Sequence, residues 1–272
     1  MSKTAFVLSG GGAKGSFQVG VLTQLAQQGI IPDALYGTST GALNSCGYSY
    51  LGINGLLQMW RGIKSNKDIM VQYPWFLLPF YLAFGKGKGV YSMKPLEKKI
   101  QAIVTQNEPK INATVCRVSL KTSAKSYVSV GPGQPKDENF ARAVLASAST
   151  PLLNDVVDGE WVDGGVRQIT PLEPAVDSGA TEIYVILAEP FVENIPLGGS
   201  VGNAVDVLNR SIACMVQEMF WQDIQSFEEY KSGAKLIVYA PDKSLIDTDD
   251  FDPVKIEASI QQGLSATPVL QK

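Results

Sequence analysis

Apolar runs and stretches of helical period alternate along the chain. Ala5–Leu8 is a continuous apolar run, as in a strand buried on both faces, and Ser9–Gly15 is a glycine loop. Ser16–Gln28 then sets Phe17, Val21, Leu22 and Leu25 on one helical face until Gly29 stops it. Ala34–Tyr36 gives a short second strand, and Gly41–Leu51 a helix of small residues able to pack close to a sheet. Ser92 is placed to cap a helix running to about Val104. Val115–Leu120 and Ser126–Val130 alternate around Lys121-Thr122-Ser123 as a hairpin does. Phe140–Ala148 reads as a short helix broken by Pro151, Ile183–Leu187 and Leu236–Tyr239 as buried parallel strands, and Ala204–Tyr230 and Pro253–Leu264 as helices. With no repeat, low-complexity tract or linker, residues 1–272 form one domain of class α/β: a three-layer α/β/α sandwich around a mostly parallel sheet.

Composition narrows the chemistry. Among 272 residues there is no histidine, so acid-base work falls to Asp, Glu, Lys, Tyr or Cys. Cys46, Cys116 and Cys214 are widely spaced and odd in number; they are expected to be buried free thiols in a reducing, cytoplasmic setting. Charge is uneven, with 15 Lys and Arg against 4 Asp and Glu in residues 1–136 and 8 against 22 in residues 137–272. A basic half suggests an anionic partner, a membrane surface or nucleic acid. The four-residue apolar stretch Ala5–Leu8 after Met1–Thr4 is too short for a signal peptide. The longest apolar run, Tyr73–Phe84, is too short to span a bilayer and contains Pro74 and Pro79.

Three motifs carry candidate chemistry. Gly37-Thr38-Ser39-Thr40-Gly41 fits GxSxG between a strand and a helix, the strained turn or nucleophile elbow that presents a serine hydroxyl while Gly37 and Gly41 allow close backbone packing. Gly10-Gly11-Gly12-Ala13-Lys14-Gly15 offers a row of backbone N–H groups at a helix start, suited to a tetrahedral oxyanion or to a dinucleotide pyrophosphate. The dinucleotide use, that of an oxidoreductase, also wants an acidic residue ending the second strand, and Asp33 begins it instead. Asp163-Gly164-Gly165 is an Asp-Gly turn by default, but a serine nucleophile without histidine needs a carboxylate within reach.

In this order, GGGAKG at 10–15, GTSTG at 37–41, ASASTP at 146–151 and DGG at 163–165 resemble the patatin-like phospholipases. The resemblance implies a lipid acyl hydrolase of phospholipase A or lysophospholipase type, working through a Ser-Asp dyad. It makes Ser39 the nucleophile and Asp163 the general base, and assigns the oxyanion loop to Gly10, Gly11, Gly12, Lys14 and Gly15. A lipid substrate is expected, with no cofactor, metal or nucleic acid. Leu152-Leu153-Asn154 and Tyr73–Phe84 depart from that family's pattern and are read as substrate-side features. Basic residues bracket the second, Lys86 and Lys88 among them. The region around 61–99 is therefore expected to act as a lid or membrane contact through Trp75, Phe76, Phe80, Lys86 and Lys88, against the alternatives of a core or dimer segment. A non-catalytic membrane-surface module is the remaining alternative for the whole chain.

Overall fold

The computed structural model describes residues 3–85, 89–134, 137–192, 204–227 and 233–272. In chain order the elements are β1 (Thr4–Leu8), α1 (Gly15–Gln27), β2 (Ala34–Thr38), α2 (Thr40–Arg61), β3 (Val71–Gln72), α3 (Leu78–Phe84), β4 (Tyr91–Ser92), α4 (Lys94–Gln106), β5 (Asn112–Ser119) and β6 (Lys125–Val130). There follow α5 (Glu138–Ser147), β7 (Trp161–Asp163), α6 (Leu172–Asp177), β8 (Glu182–Ile186), α7 (Ala204–Gln225), β9 (Lys235–Tyr239), α8 (Pro253–Leu264) and β10 (Leu270–Gln271).

The main sheet has eight strands in the order β10-β9-β8-β1-β2-β5-β6, with β7 also paired to β5. Strands β9, β8, β1, β2 and β5 run parallel, and β6, β7 and β10 are antiparallel additions. The expected hairpin is β5–β6. Period-two alternation divides the core: Phe6, Leu8, Tyr184, Ile186, Ile237 and Tyr239 face the layer containing α1, α2, α4, α5 and α8. Their neighbours Ala5, Val7, Ile183, Val185, Leu236 and Val238 face α6 and α7. The three-layer, mostly parallel architecture is as the sequence leads one to expect.

Two local expectations change. The helix expected to end at Leu51 continues as α2 to Arg61, but Gly52 breaks it at φ 73°, ψ 176°. The second half folds back on the first, since Trp60 Nε1 donates to Asn44 Oδ1 at 2.7 Å, a pair 16 residues apart that a straight helix would hold far from each other. Met93, not Ser92, is the residue at the start of α4, and Ser92 lies in β4.

Candidate active site

The site lies beyond the carboxyl ends of the parallel strands, where open α/β sheets leave a crevice. Ser39 stands between β2 and α2 at φ 56°, ψ −122°, a strained conformation for a residue with a side chain. The turn closes because residues 37 and 41 are glycine: a Cβ on Gly41 would run into the Leu8 carbonyl, and one on Gly37 into the carbonyl of Gly41. Ser147 holds the turn from α5, its Oγ accepting the Ser39 N–H at 2.9 Å.

Asp163 ends β7 and is 6% exposed. Its backbone N–H donates to Ser149 O at 2.9 Å, and its Oδ1 accepts the Gly165 N–H at 2.7 Å. Burial pushes its pKa up to about 6, while the Ser39 hydroxyl, the Gly165 N–H and the Thr150 hydroxyl beside it act in the opposite direction, favouring the charged form. Behind it, Arg117, the register partner of Asp163 on β5, lies over the Trp161 ring at 3.9 Å and stiffens the short strand.

The glycine loop lies against the serine, close enough that a Cβ on Gly10 would come within 3.1 Å of Ser39 Cβ. Its amides are not equivalent. Gly10 N–H donates to Ile169 O at 3.0 Å, Ala13 N–H to Thr248 O at 2.8 Å and Lys14 N–H to Gly11 O at 3.2 Å, while Gly15 N–H bonds the Ala13 and Gly12 carbonyls. The Gly11 and Gly12 amides make no hydrogen bond among the described residues. Of the five residues grouped as oxyanion loop, only these two have a backbone donor to offer; Gly10 and Gly15 are spacers that let Ile169 and Thr40 pack close. The Lys14 ammonium faces the same space and pairs with Glu189 at 2.5 Å. Asp33 is at the other end of β2, where its carboxylate accepts the Thr4 N–H at 2.8 Å, so it is remote from any ligand on the glycine loop.

Beneath the loop is a closed polar network. Gln18 Nε2 donates to Ser9 O and Ile186 O at 2.9 and 3.0 Å. Asn44 Nδ2 donates to Gly15 O and Gln18 Oε1, and Trp60 completes it through Asn44 Oδ1. It fixes α1, α2 and the returning half of α2 relative to one another.

Ser39, Asp163, Gly11, Gly12 and Lys14 line one cavity of about 1020 Å³. One wall comes from the folded-back α2 and from α4, including Met59, Leu96 and Ile100; the opposite wall comes from Phe191 and from α7 through Val216 and Phe220. Exposed Leu152, Leu153 and Met215 line its open, apolar rim, and on the adjoining segment Trp75 is 79% exposed, Phe76 64% and Phe84 73%, with Phe80 also exposed. This excludes a core segment at Trp75, Phe76 and Phe80. Pro74 and Pro79 do not break up the segment, as their place in the sequence suggests; they stand at helix starts, where a missing N–H leaves nothing unpaired. The two departures from the family pattern meet here, as Val90 N–H donates to Leu152 O, Tyr91 N–H to Leu153 O and Tyr73 Oη to Asp155. Lys86 and Lys88 lie outside the described residues.

Cys46, in the cavity wall, and Cys116 are buried, and desolvation pushes both thiols up to about 12. Cys214 differs from expectation: it is exposed on α7. Among the described residues there is no cluster of three or more potential metal ligands, and no helix is long and apolar enough to cross a membrane.

A strained serine at a strand-to-helix turn, beside a buried aspartate and facing a glycine loop in a three-layer α/β/α sandwich, defines a class of α/β proteins with a hydrolase-like site. The chain belongs to the patatin-like phospholipase family, whose model matches residues 6–176, from β1 through α6. It is also 46% identical over 43 residues to triacylglycerol lipase ptl3 of Schizosaccharomyces pombe, a match covering 16% of this chain and 9% of that protein. Among solved structures it is similar in fold to VipD from Legionella pneumophila, with a TM-score of 0.50 and 14% identity over 97% of this chain and 65% of that one. The chain therefore spans less than two thirds of either relative. Sequence reasoning did not single out Thr150, Ser147, Ile169 or Thr248. Ser147 and Thr150 fall inside a motif it quoted, but nothing in their spacing separates them from neighbouring serines.

Proposed function

We propose that the chain is a serine-dependent lipid acyl hydrolase that cleaves carboxylic esters of phospholipids or related acyl lipids at a membrane surface. The observation that carries this reading is the strained Ser39 turn facing the buried Asp163 carboxylate, both lining one large apolar cavity. Ser39 Oγ attacks the ester carbonyl while its proton passes to Asp163. The carbonyl oxygen becomes an oxyanion beside the Gly11 and Gly12 amides. Collapse of that intermediate expels the alcohol, which takes the proton from Asp163, and leaves an acyl-Ser39 ester. Water then gives a proton to Asp163 as it attacks the acyl carbon, and collapse of the second oxyanion releases the carboxylic acid while Ser39 Oγ takes the proton back from Asp163. In a studied serine hydrolase, loss of one oxyanion donor costs about 3–4 kcal/mol, so two preorganised amides are a large part of such a mechanism.

The exposed aromatic rim supports shallow insertion at a bilayer, with basic residues near it adding about 1 kcal/mol each at an anionic surface. The test is hydrolysis of a soluble monomeric ester and of phospholipid vesicles, with and without EDTA. Turnover of both in chelator is expected. Hydrolysis that stops in EDTA and returns with calcium would contradict the mechanism, and no ester turnover at all would leave a non-catalytic surface module.

A further inference from the structure

Asp223, on α7, lies beyond the residues matched by the family model and takes no part in the scheme above. Its Oδ2 accepts the Thr170 N–H at 2.8 Å, and the neighbouring Ile169 amide also favours its charged form. Ile169 is a junction. Its carbonyl receives the Gly10 N–H, and its side chain fits against both Gly10 and Gly165. One residue thus touches the glycine loop and the turn that holds Asp163, and Asp223 holds that residue from behind. The same helix lines the cavity through Val216, Met219 and Phe220.

We propose that Asp223 is a positioning residue: its ionised carboxylate clamps the 169–170 backbone and so couples the α7 wall of the cavity to the placement of Asp163 and the Gly11–Gly12 donors. This rests on the reading of Asp163 as the base. A backbone N–H held by a carboxylate makes a charge-assisted bond, stronger than the one an asparagine oxygen could accept in its place. The groups facing it are Lys125 from β6, paired with Glu173 from α6, along with Cys116 on β5. Tyr127 and Gln168 bond each other alongside. Lys125, the cation that acts on Asp223 among the described residues, is itself paired to Glu173, and burial outweighs it and pushes the Asp223 pKa up to about 7. Near neutral pH its hold on Ile169 and Thr170 is therefore titratable.

The experiment has two readouts. For a soluble ester, the acid limb of log kcat/KM in the wild type should steepen toward two protons, from Asp163 and Asp223. In Asp223→Asn it should be a one-proton limb, with kcat lowered on the order of 10- to 100-fold and KM unchanged. Amide exchange over residues 165–170 of the wild type, through local openings that keep Asp223 buried, should lose protection as pH falls from 8 to 5 even as global stability rises, after correction for intrinsic rates, while β1 does not lose its own. A one-proton limb in the wild type, or pH-independent protection of 165–170, would overturn the proposal. The exchange readout needs neither turnover nor a folded variant, so it remains decisive even if no ester is hydrolysed and the functional reading itself fails.

Discussion

The floor of the cavity and its rim are built on opposite principles. On the floor, Ser9, Gln18, Asn44 and Trp60 are all at most 3% exposed and are linked in a continuous hydrogen-bonded chain under the glycine loop. At the rim Leu152 and Leu153 are exposed, and on the segment adjoining it Trp75, Phe76 and Phe84 leave most of their apolar surface in water. A buried polar network is favourable only when its members are paired, and it then fixes one geometry, which is what oxyanion donors need. A contiguous exposed apolar patch is costly for an isolated protein and is favourable against lipid. The comparison assigns chemistry to the floor and substrate access to the rim.

The largest effect expected is on the floor's reacting groups. Ser39→Ala should remove hydrolysis of soluble and vesicular esters alike and leave the melting temperature nearly unchanged, because the turn is held by Gly37, Gly41 and Ser147. Asp163→Asn should be almost as severe, with the double variant little worse, since groups acting as a unit are not additive; multiplicative losses in steady-state assays would separate them. Next in size is Asn44→Leu, which strips partners from Gln18, Trp60 and the Gly15 carbonyl. It should destabilise the fold by about 2–4 kcal/mol in urea titration and slow every substrate in proportion. If it instead affected vesicles alone, floor and rim would not be separate.

Rim changes should be smaller and selective. Trp75→Ser with Phe76→Ser, or charge reversal at Lys86 and Lys88, should lower activity on anionic vesicles about tenfold, with a marked salt dependence for the lysines, and spare a soluble ester. Equal loss on both substrates would return the segment to a structural role.

The smallest effect is on pH. Activity should rise through about pH 6 as Asp163 ionises to serve as base. Stability should move the other way. Asp163 and Asp223 have folded pKa values of about 6 and about 7, above the ordinary carboxylate value near 3.9, so the folded chain binds these protons more tightly than the unfolded one. Their contribution to stability is therefore greatest below about pH 4 and is lost as pH rises to about 7, by up to ~1.4 kcal/mol per pH unit for each group. Melting curves of Asp163→Asn and Asp223→Asn should show a flatter decline over that window.

What the sequence makes legible is local. The β1–glycine loop–α1 unit, the Ser39 turn and the β5–β6 hairpin follow from period and from glycine placement within a few residues. The reversal at Gly52 does not, because a single glycine inside a helical pattern does not say whether the chain bends or folds back; Asn44 and Trp60 decide that from 16 residues apart. The effect of the prolines at 74 and 79 is hidden in the sequence for the same reason, since it depends on where the helix begins. The motifs locate Ser39 and Asp163, but not what holds them: Ser147, Thr150, Ile169 and Asp223 act through contacts between distant segments that carry no periodic signal.

The central claim is that Ser39, activated by Asp163, forms a covalent acyl intermediate. Mass spectrometry of the protein after treatment with an alkyl fluorophosphonate tests it most directly. One adduct per chain on the peptide containing Ser39, nearly absent in Asp163→Asn, is the predicted result. Labelling of another residue, or undiminished Ser39 labelling in Asp163→Asn, would contradict it.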